Sequence, residues 1–235
     1  MDQSAIQMVE INKSFPGVQA LSQVELNVQP GEIHALLGEN GAGKSVLLKI
    51  LTGVYESDYG KVFFFGDDNP LTARKLGISA VYQDLMLAEK LTVAENICLG
   101  QQPNVYGILS KKEMRKKAQE ALEKLNIDID LNLKVENLMV AKKQIVAIAK
   151  ALMNKVRVLI LDEPTSMLTS EETDALFAAM RTLKNQGVSI IYVSHRMEEI
   201  FEICDRVTVL RDGHNVGNFS VKDIDKEKLI KLIAG

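Results

Sequence analysis

Eight consecutive residues carry the clearest chemical potential in the chain: Gly38-Glu39-Asn40-Gly41-Ala42-Gly43-Lys44-Ser45. A glycine, four residues, a second glycine, lysine and serine form the phosphate-loop pattern. Glycines let the backbone curl until successive N–H groups face inward at phosphate oxygens, and the helix that follows adds a favourable dipole. In such a loop Lys44 reaches the β- and γ-phosphates and the Ser45 hydroxyl ligates Mg²⁺, so Mg-ATP is the expected ligand. A second group follows the apolar run Val158-Leu159-Ile160-Leu161, which ends in Asp162-Glu163. Ligands of parallel α/β sheets bind at strand ends of this kind. Adjacent acids in one strand point to different sides. Asp162 is therefore expected to join the Mg²⁺ shell while Glu163 faces the γ-phosphate and polarises an attacking water.

The surrounding sequence supplies elements to hold these groups. Ile33-His34-Ala35-Leu36-Leu37 reads as a short buried strand, followed by the glycine-rich loop and a helical pattern from Val46 to Leu51 that ends at Gly53. Further buried strands are predicted at Ser79–Tyr82, Val158–Leu161, Ser189–Val193 and Val207–Leu210, with helical stretches between several of them, which implies a parallel sheet. Residues 5–12 and 20–28 alternate apolar and polar around Phe15-Pro16-Gly17, the pattern of a half-exposed antiparallel pair, with Val62–Phe65 as a third strand. The fold class expected is α/β: a phosphate-loop core with a parallel sheet, an N-terminal antiparallel β subdomain and an inserted helical lobe. That lobe, about residues 88–153, reads as consecutive helices, including Ser110–Leu125 and Ala141–Met153, with no convincing strand. The core then comprises about 1–87 and 154–235, in one domain, and the segment after Gly213 reads as a short mixed-charge extension.

With 235 residues and 46% hydrophobic content the chain can bury a substantial core. Its formal net charge of −3 gives no global basic field for nucleic acid. The basic cluster Lys111, Lys112, Arg115, Lys116 and Lys117 is interleaved with Glu113, Glu120 and Glu123, as on a solvated helix face. Cys98 and Cys204 have no paired spacing for zinc or a disulfide framework, which suits a reducing compartment. The start, Met1-Asp2-Gln3-Ser4, lacks a charged-then-apolar leader, and no apolar run approaches the roughly 20 residues that span a bilayer. A membrane role is expected only through a partner.

Taken together, these motifs resemble the ATP-binding-cassette family over essentially the whole chain, in the family's order. The resemblance implies several further roles. Gln83 matches the glutamine that contacts Mg²⁺ and water, Ser166-Met167-Leu168-Thr169 the loop that communicates across a dimer, and His195 the switch histidine at the γ-phosphate. Phe15 stands where the family stacks an aromatic ring on adenine. The phosphate loop, Ile148-Ala149-Lys150-Ala151-Leu152 and Ser194-His195-Arg196-Met197-Glu198-Glu199-Ile200 are most similar to the sugar-import branch of the ribose, galactose and xylose type, where two cassettes are commonly fused. This chain resembles the first of them, and Asp212–Gly217 through Gly235 the link to the second.

Five positions depart from the family pattern. In the stretch Leu138-Met139-Val140-Ala141-Lys142-Lys143-Gln144, which matches the family signature, Met139 replaces a serine, Ala141 a glycine and Lys142 a glutamine. Val46 stands where threonine commonly follows the phosphate-loop serine, and Thr169 where an aspartate is often found. The activity implied is ATP hydrolysis coupled to import of a small solute, a sugar in this branch. A nucleotide-binding interaction module with little turnover is the alternative. The implied partners are a second cassette, fused or as a homodimer, transmembrane permease subunits and, indirectly, a solute-binding protein. The implied location is cytoplasmic, peripheral on the inner face of the cell membrane.

Overall fold

The computed structural model describes residues 4–66, 76–105 and 108–234. Met1, Asp2, Gln3 and Gly235 lie outside the described residues. The chain opens with β1 (Ile6–Phe15) and β2 (Val18–Val28), continues through β3 (Ile33–Leu37) into α1 (Lys44–Leu51), and follows with β4 (Tyr59–Phe64) and β5 (Ile78–Val81). Next come α2 (Val93–Ile97), β6 (Asn104–Val105), β7 (Ile108–Leu109), α3 (Lys111–Glu123) and α4 (Val140–Ala151). The last third is β8 (Val158–Asp162), α5 (Ser170–Asn185), β9 (Ser189–Val193), α6 (Met197–Ile203), β10 (Arg206–Arg211), β11 (His214–Ser220) and α7 (Lys226–Ala234).

β2, β1 and β4 form an antiparallel sheet in that order, and β11-β10-β3-β9-β8-β5 form the main sheet, parallel except at β11. Strand periodicity of two explains the layering. In β8, Leu159 and Leu161 face the helices, packing in one core with Phe177 and Met180 of α5 and Val146 of α4, while Val158 and Ile160 face the other way. There they meet Leu47, Leu48 and Leu51 of α1 and Ile6, Met8 and Ile11 of β1. Both faces of the parallel strands are therefore covered, which is why they read as unbroken apolar runs. One polar exception is His34 in β3, fully buried with Nδ1 2.7 Å from Glu32 and Nε2 2.7 Å from Thr208. Burial pushes its pKa down, against the opposing pull of Glu32.

The predicted strands all form, within a few residues at their ends. Pro16-Gly17 joins β1 to β2, with proline preset for the first turn position and Gly17 at φ +81° for the second. On α3 the five cluster cations are exposed while Met114, Ala118, Ala121 and Leu122 are buried, as expected of a solvated face. Cys98 and Cys204 are both buried and unpaired, and burial pushes both thiols up.

Two expectations are corrected. The stretch 88–153 contains a minimal strand pair, β6 with β7, whose two-residue arms are too short to show alternation in sequence. The segment after Arg211 does not lead away as a link. It turns back as β11, antiparallel to β10, and α7 packs behind it with Leu229 buried. Asp212 (φ +49°) and Gly213 (φ +75°) form the two-residue loop, both left-handed, as a type I′ hairpin turn requires. The hairpin also joins the two sheets. Ser22 N–H donates to Gly213 O at 2.8 Å, and the Asn215 side chain pairs with the backbone of Glu25, donating to its carbonyl at 2.9 Å.

Candidate active site

Strand register brings the site together. Ala35 of β3, Tyr192 of β9, Leu161 of β8 and Val81 of β5 lie in one row across the main sheet. Two or three residues beyond that row, each strand delivers a candidate group: Gly38 after β3, His195 after β9, Glu163 after β8 and Gln83 after β5. All four therefore emerge at the C-terminal edge of the parallel strands.

The loop between β3 and α1 is shaped by two glycines. Gly38 has φ +154°, and a Cβ there would run into the Leu210 carbonyl and Ala42. Gly43 has φ +98°, and a Cβ would stand 2.8 Å from Ala20 O and 2.6 Å from Leu21 Cδ2. Neither position accepts another residue without moving backbone or core. Glu39, Asn40, Gly41 and Ser45 are exposed, while Ala42 is buried beneath the loop and Val46 packs against the inner core. α1 begins at Lys44 with no side-chain cap and no acidic residue in its first turn, so its N-terminal dipole faces the loop uncompensated. Lys44 Nζ donates to the carbonyls of Gly38 at 2.6 Å and Glu39 at 3.1 Å.

Four ionisable groups converge. Burial pushes the Lys44 ammonium down, while Glu163 and Asp162 pull it back up. Burial, then the neighbouring Glu163, pushes the Asp162 carboxyl up, and Lys44 and His195 oppose this. His195 Nε2 lies 2.5 Å from Glu163 Oε1. An imidazole and a carboxylate so placed can fix each other's orientation and share a water's proton.

Glu163 reaches this position differently from the expected alternation of two strand residues. β8 ends at Asp162, and Glu163 adopts φ +50° with its N–H donating to Val193 O at 2.9 Å. A left-handed glutamate is strained, and such strain gathers at functional positions.

The remaining predicted residues are more loosely connected. Gln83 is exposed in the loop after β5. The Phe15 ring, 37% exposed at the tip of the β1–β2 hairpin, packs edge-on against Tyr55 with centroids 5.5 Å apart, and Lys13 Nζ lies 5.7 Å from its centroid. Tyr55 was not expected, since nothing local in sequence marks it as the ring's support. Met139 sits at the N-cap of α4 with no side-chain bond and is 65% exposed, and Met167 in the loop after β8 is exposed as well. Thr169, in the place of the usual aspartate, caps α5: its hydroxyl accepts from Glu172 N–H at 3.3 Å, and its own N–H donates to the Glu172 carboxylate at 3.0 Å.

Comparison with known proteins agrees with this geometry. Residues 21–166 match the family model described as ABC transporter. The chain belongs to the ABC transporter family. This cassette is 47% identical over 236 residues to the ribose import ATP-binding protein RbsA of Clostridium perfringens (strain SM101 / Type A), covering 98% of the chain and 47% of that protein. It is 46% identical over 230 residues to the arabinose import ATP-binding protein AraG of Azospirillum brasilense, covering 96% and 44% respectively. The chain thus spans about half the length of the curated relatives it matches. In fold it is similar to a nucleotide-free ATP-binding cassette from an ABC transporter, at 24% identity and a TM-score of 0.86 over 99% of both chains. It is also similar to a dimeric cassette in a post-hydrolysis state bound to ADP and Pi, at 26% identity and a TM-score of 0.77 over 93% of this chain and all of the other.

Proposed function

We propose that this cassette binds Mg-ATP at the loop Gly38–Ser45 and hydrolyses it to drive import of a small solute, a sugar, through membrane subunits. The observation that carries the proposal is the single edge where the phosphate loop, Asp162 and the 2.5 Å pair of Glu163 with His195 meet. Loop amides and Lys44 would hold the phosphates, the His195 imidazole would orient Glu163, and Glu163 would take the proton of an attacking water. The donor set suits Mg²⁺: the exposed Ser45 hydroxyl, the Asp162 carboxylate and the Gln83 amide are hard oxygen ligands. When bound, that ion supplies charge to offset the phosphate oxygens. Phe15 would stack on adenine. Sugar as the solute is supported by the ribose and arabinose importers among the relatives.

A second cassette is the proposed partner, since the relatives are about twice as long and one similar cassette is dimeric. Met139 would face the partner's nucleotide. Residues 88–153 form the proposed lobe, and a groove of about 650 Å³ between it and the core, lined by Thr52, Tyr82, Leu85, Met86, Leu99 and Lys150 among others, is the proposed dock for a permease segment. Among the described residues no helix is long and apolar enough to cross a membrane. A place at the inner membrane face would therefore come through such docking.

Two substitutions test the chemistry. Lys44→Ala should weaken Mg-ATP binding at least about tenfold, because it removes a charge-assisted bond to phosphate. Glu163→Gln should bind normally and turn over about 10²–10⁴-fold more slowly. Unchanged affinity in the first, by calorimetry, or unchanged hydrolysis in the second would overturn the assignment.

A further inference from the structure

Glu199, in α6, is buried and plays no part in the chemistry above. Its Oε2 accepts hydrogen bonds from three hydroxyls, Thr165 at 2.9 Å, Tyr192 at 2.7 Å and Ser194 at 2.5 Å, and its Oε1 takes Arg196 Nη1 at 3.0 Å. Three hydroxyls and a guanidinium are donors matched to an acceptor-only carboxylate. Burial, together with the nearby Glu199 charge, pushes the Tyr192 phenol well above its ordinary value and keeps it a donor.

These partners are not scattered. Ser194 and Arg196 flank His195, and the Ser194 hydroxyl also accepts from Arg196 N–H at 3.1 Å, closing a small ring across the histidine. Thr165 follows Glu163 by two residues in the loop after β8. A single carboxylate therefore grips both loops whose side chains meet at 2.5 Å. An apolar side chain would fill the same space without the cost of burying a charge, so packing alone does not account for glutamate here.

We propose that Glu199 is a positioning residue for ATP hydrolysis, holding the His195 loop and the Glu163 loop at their working separation. This rests on the roles proposed above for Glu163 and His195. The test is a double-mutant cycle on the assembled ATPase, with kcat and the KM for ATP measured for His195→Ala, Glu199→Gln and both together. Glu199→Gln keeps the shape but opposes an NH₂ group to one of the donors. It should lower kcat about tenfold with KM within about twofold of the parent, and the double variant should be no slower than His195→Ala alone. Parental kcat in Glu199→Gln, or losses that multiply in the double variant, would overturn the proposal, because Glu199 would then act independently of His195. Parental turnover in His195→Ala would instead remove the underlying role of the histidine, a result distinguishable from either. If Glu199→Gln does not fold, Ser194→Ala removes one strap and leaves the carboxylate, and a loss of about threefold with the same non-additivity is expected.

Discussion

Asp162 shows most plainly how the site is set against the fold. Its carboxyl is pushed up by burial and by Glu163, so folding favours its protonated form. A folded value above the ordinary one means that this stabilisation is complete at low pH and is lost as pH rises through the folded value. Above that value an ionised Asp162 thus weighs against the nucleotide-free fold. Asp162→Asn should raise the melting temperature of the nucleotide-free chain, by about 2–4 °C for each kcal/mol relieved, while abolishing the gain in nucleotide affinity that Mg²⁺ provides. A lower melting temperature would contradict the electrostatic account. The phosphate loop and the two acids were legible in sequence because their chemistry is encoded in local spacing. The left-handed turn at Glu163, Tyr55 behind Phe15 and the four donors around Glu199 were not, since each depends on partners brought together from distant parts of the chain.

The start of α4 lacks a side-chain cap. Its N-cap, Met139, has the extended backbone of a capping residue (φ −63°, ψ 156°) but supplies no side-chain acceptor. α5 shows the alternative, with Thr169 and Glu172 satisfying each other's backbone N–H groups. Met139→Ser should therefore stabilise the isolated chain by about 1 kcal/mol, a rise of roughly 2–4 °C in melting temperature. Turnover gives a second measurement. If the isolated chain hydrolyses ATP as a homodimer, the same substitution should raise turnover in a concentration-dependent way, whereas a partner with an intact signature would leave the site containing Glu163 nearly unaffected. No change in either melting temperature or homodimer turnover would show that the missing hydroxyl limits neither. Asp212-Gly213 between two β-rich runs is a strong hairpin signal in the sequence, and the chain follows it rather than leading away as a link.

In the molecule as a whole, the row of strand ends presents nucleotide chemistry on one edge, and the proposed docking groove opens beside it. In the run Asp84-Leu85-Met86-Leu87, Leu85 and Leu87 are partly buried against the molecule's own core. Met86 is the outward one, 68% exposed, with its carbonyl bonded to Lys150 Nζ at 3.3 Å. Asn96, at the far end of the same stretch, faces inward and bonds the backbone of Ala88, Leu91 and Thr92. Met86→Glu should leave melting temperature and ATP affinity unchanged while weakening assembly with the membrane subunits. Normal assembly and transport would refute docking at this groove. Sequence patterning revealed the layers because both faces of each parallel strand are covered, but it could not reveal the groove, which belongs to no single segment.

β10 is a β-branched apolar strand, Val207-Thr208-Val209-Leu210, and as an outermost strand it would offer a bare backbone ladder to any passing chain. β11 covers that ladder with the more polar His214-Asn215-Val216-Gly217-Asn218-Phe219-Ser220, itself tethered to β2 through Asn215. At the opposite boundary stands β5, only four residues long. Among the described residues the sheet thus ends on one side in a polar strand and on the other in a short one, both poor templates for the cross-chain pairing that leads to aggregation.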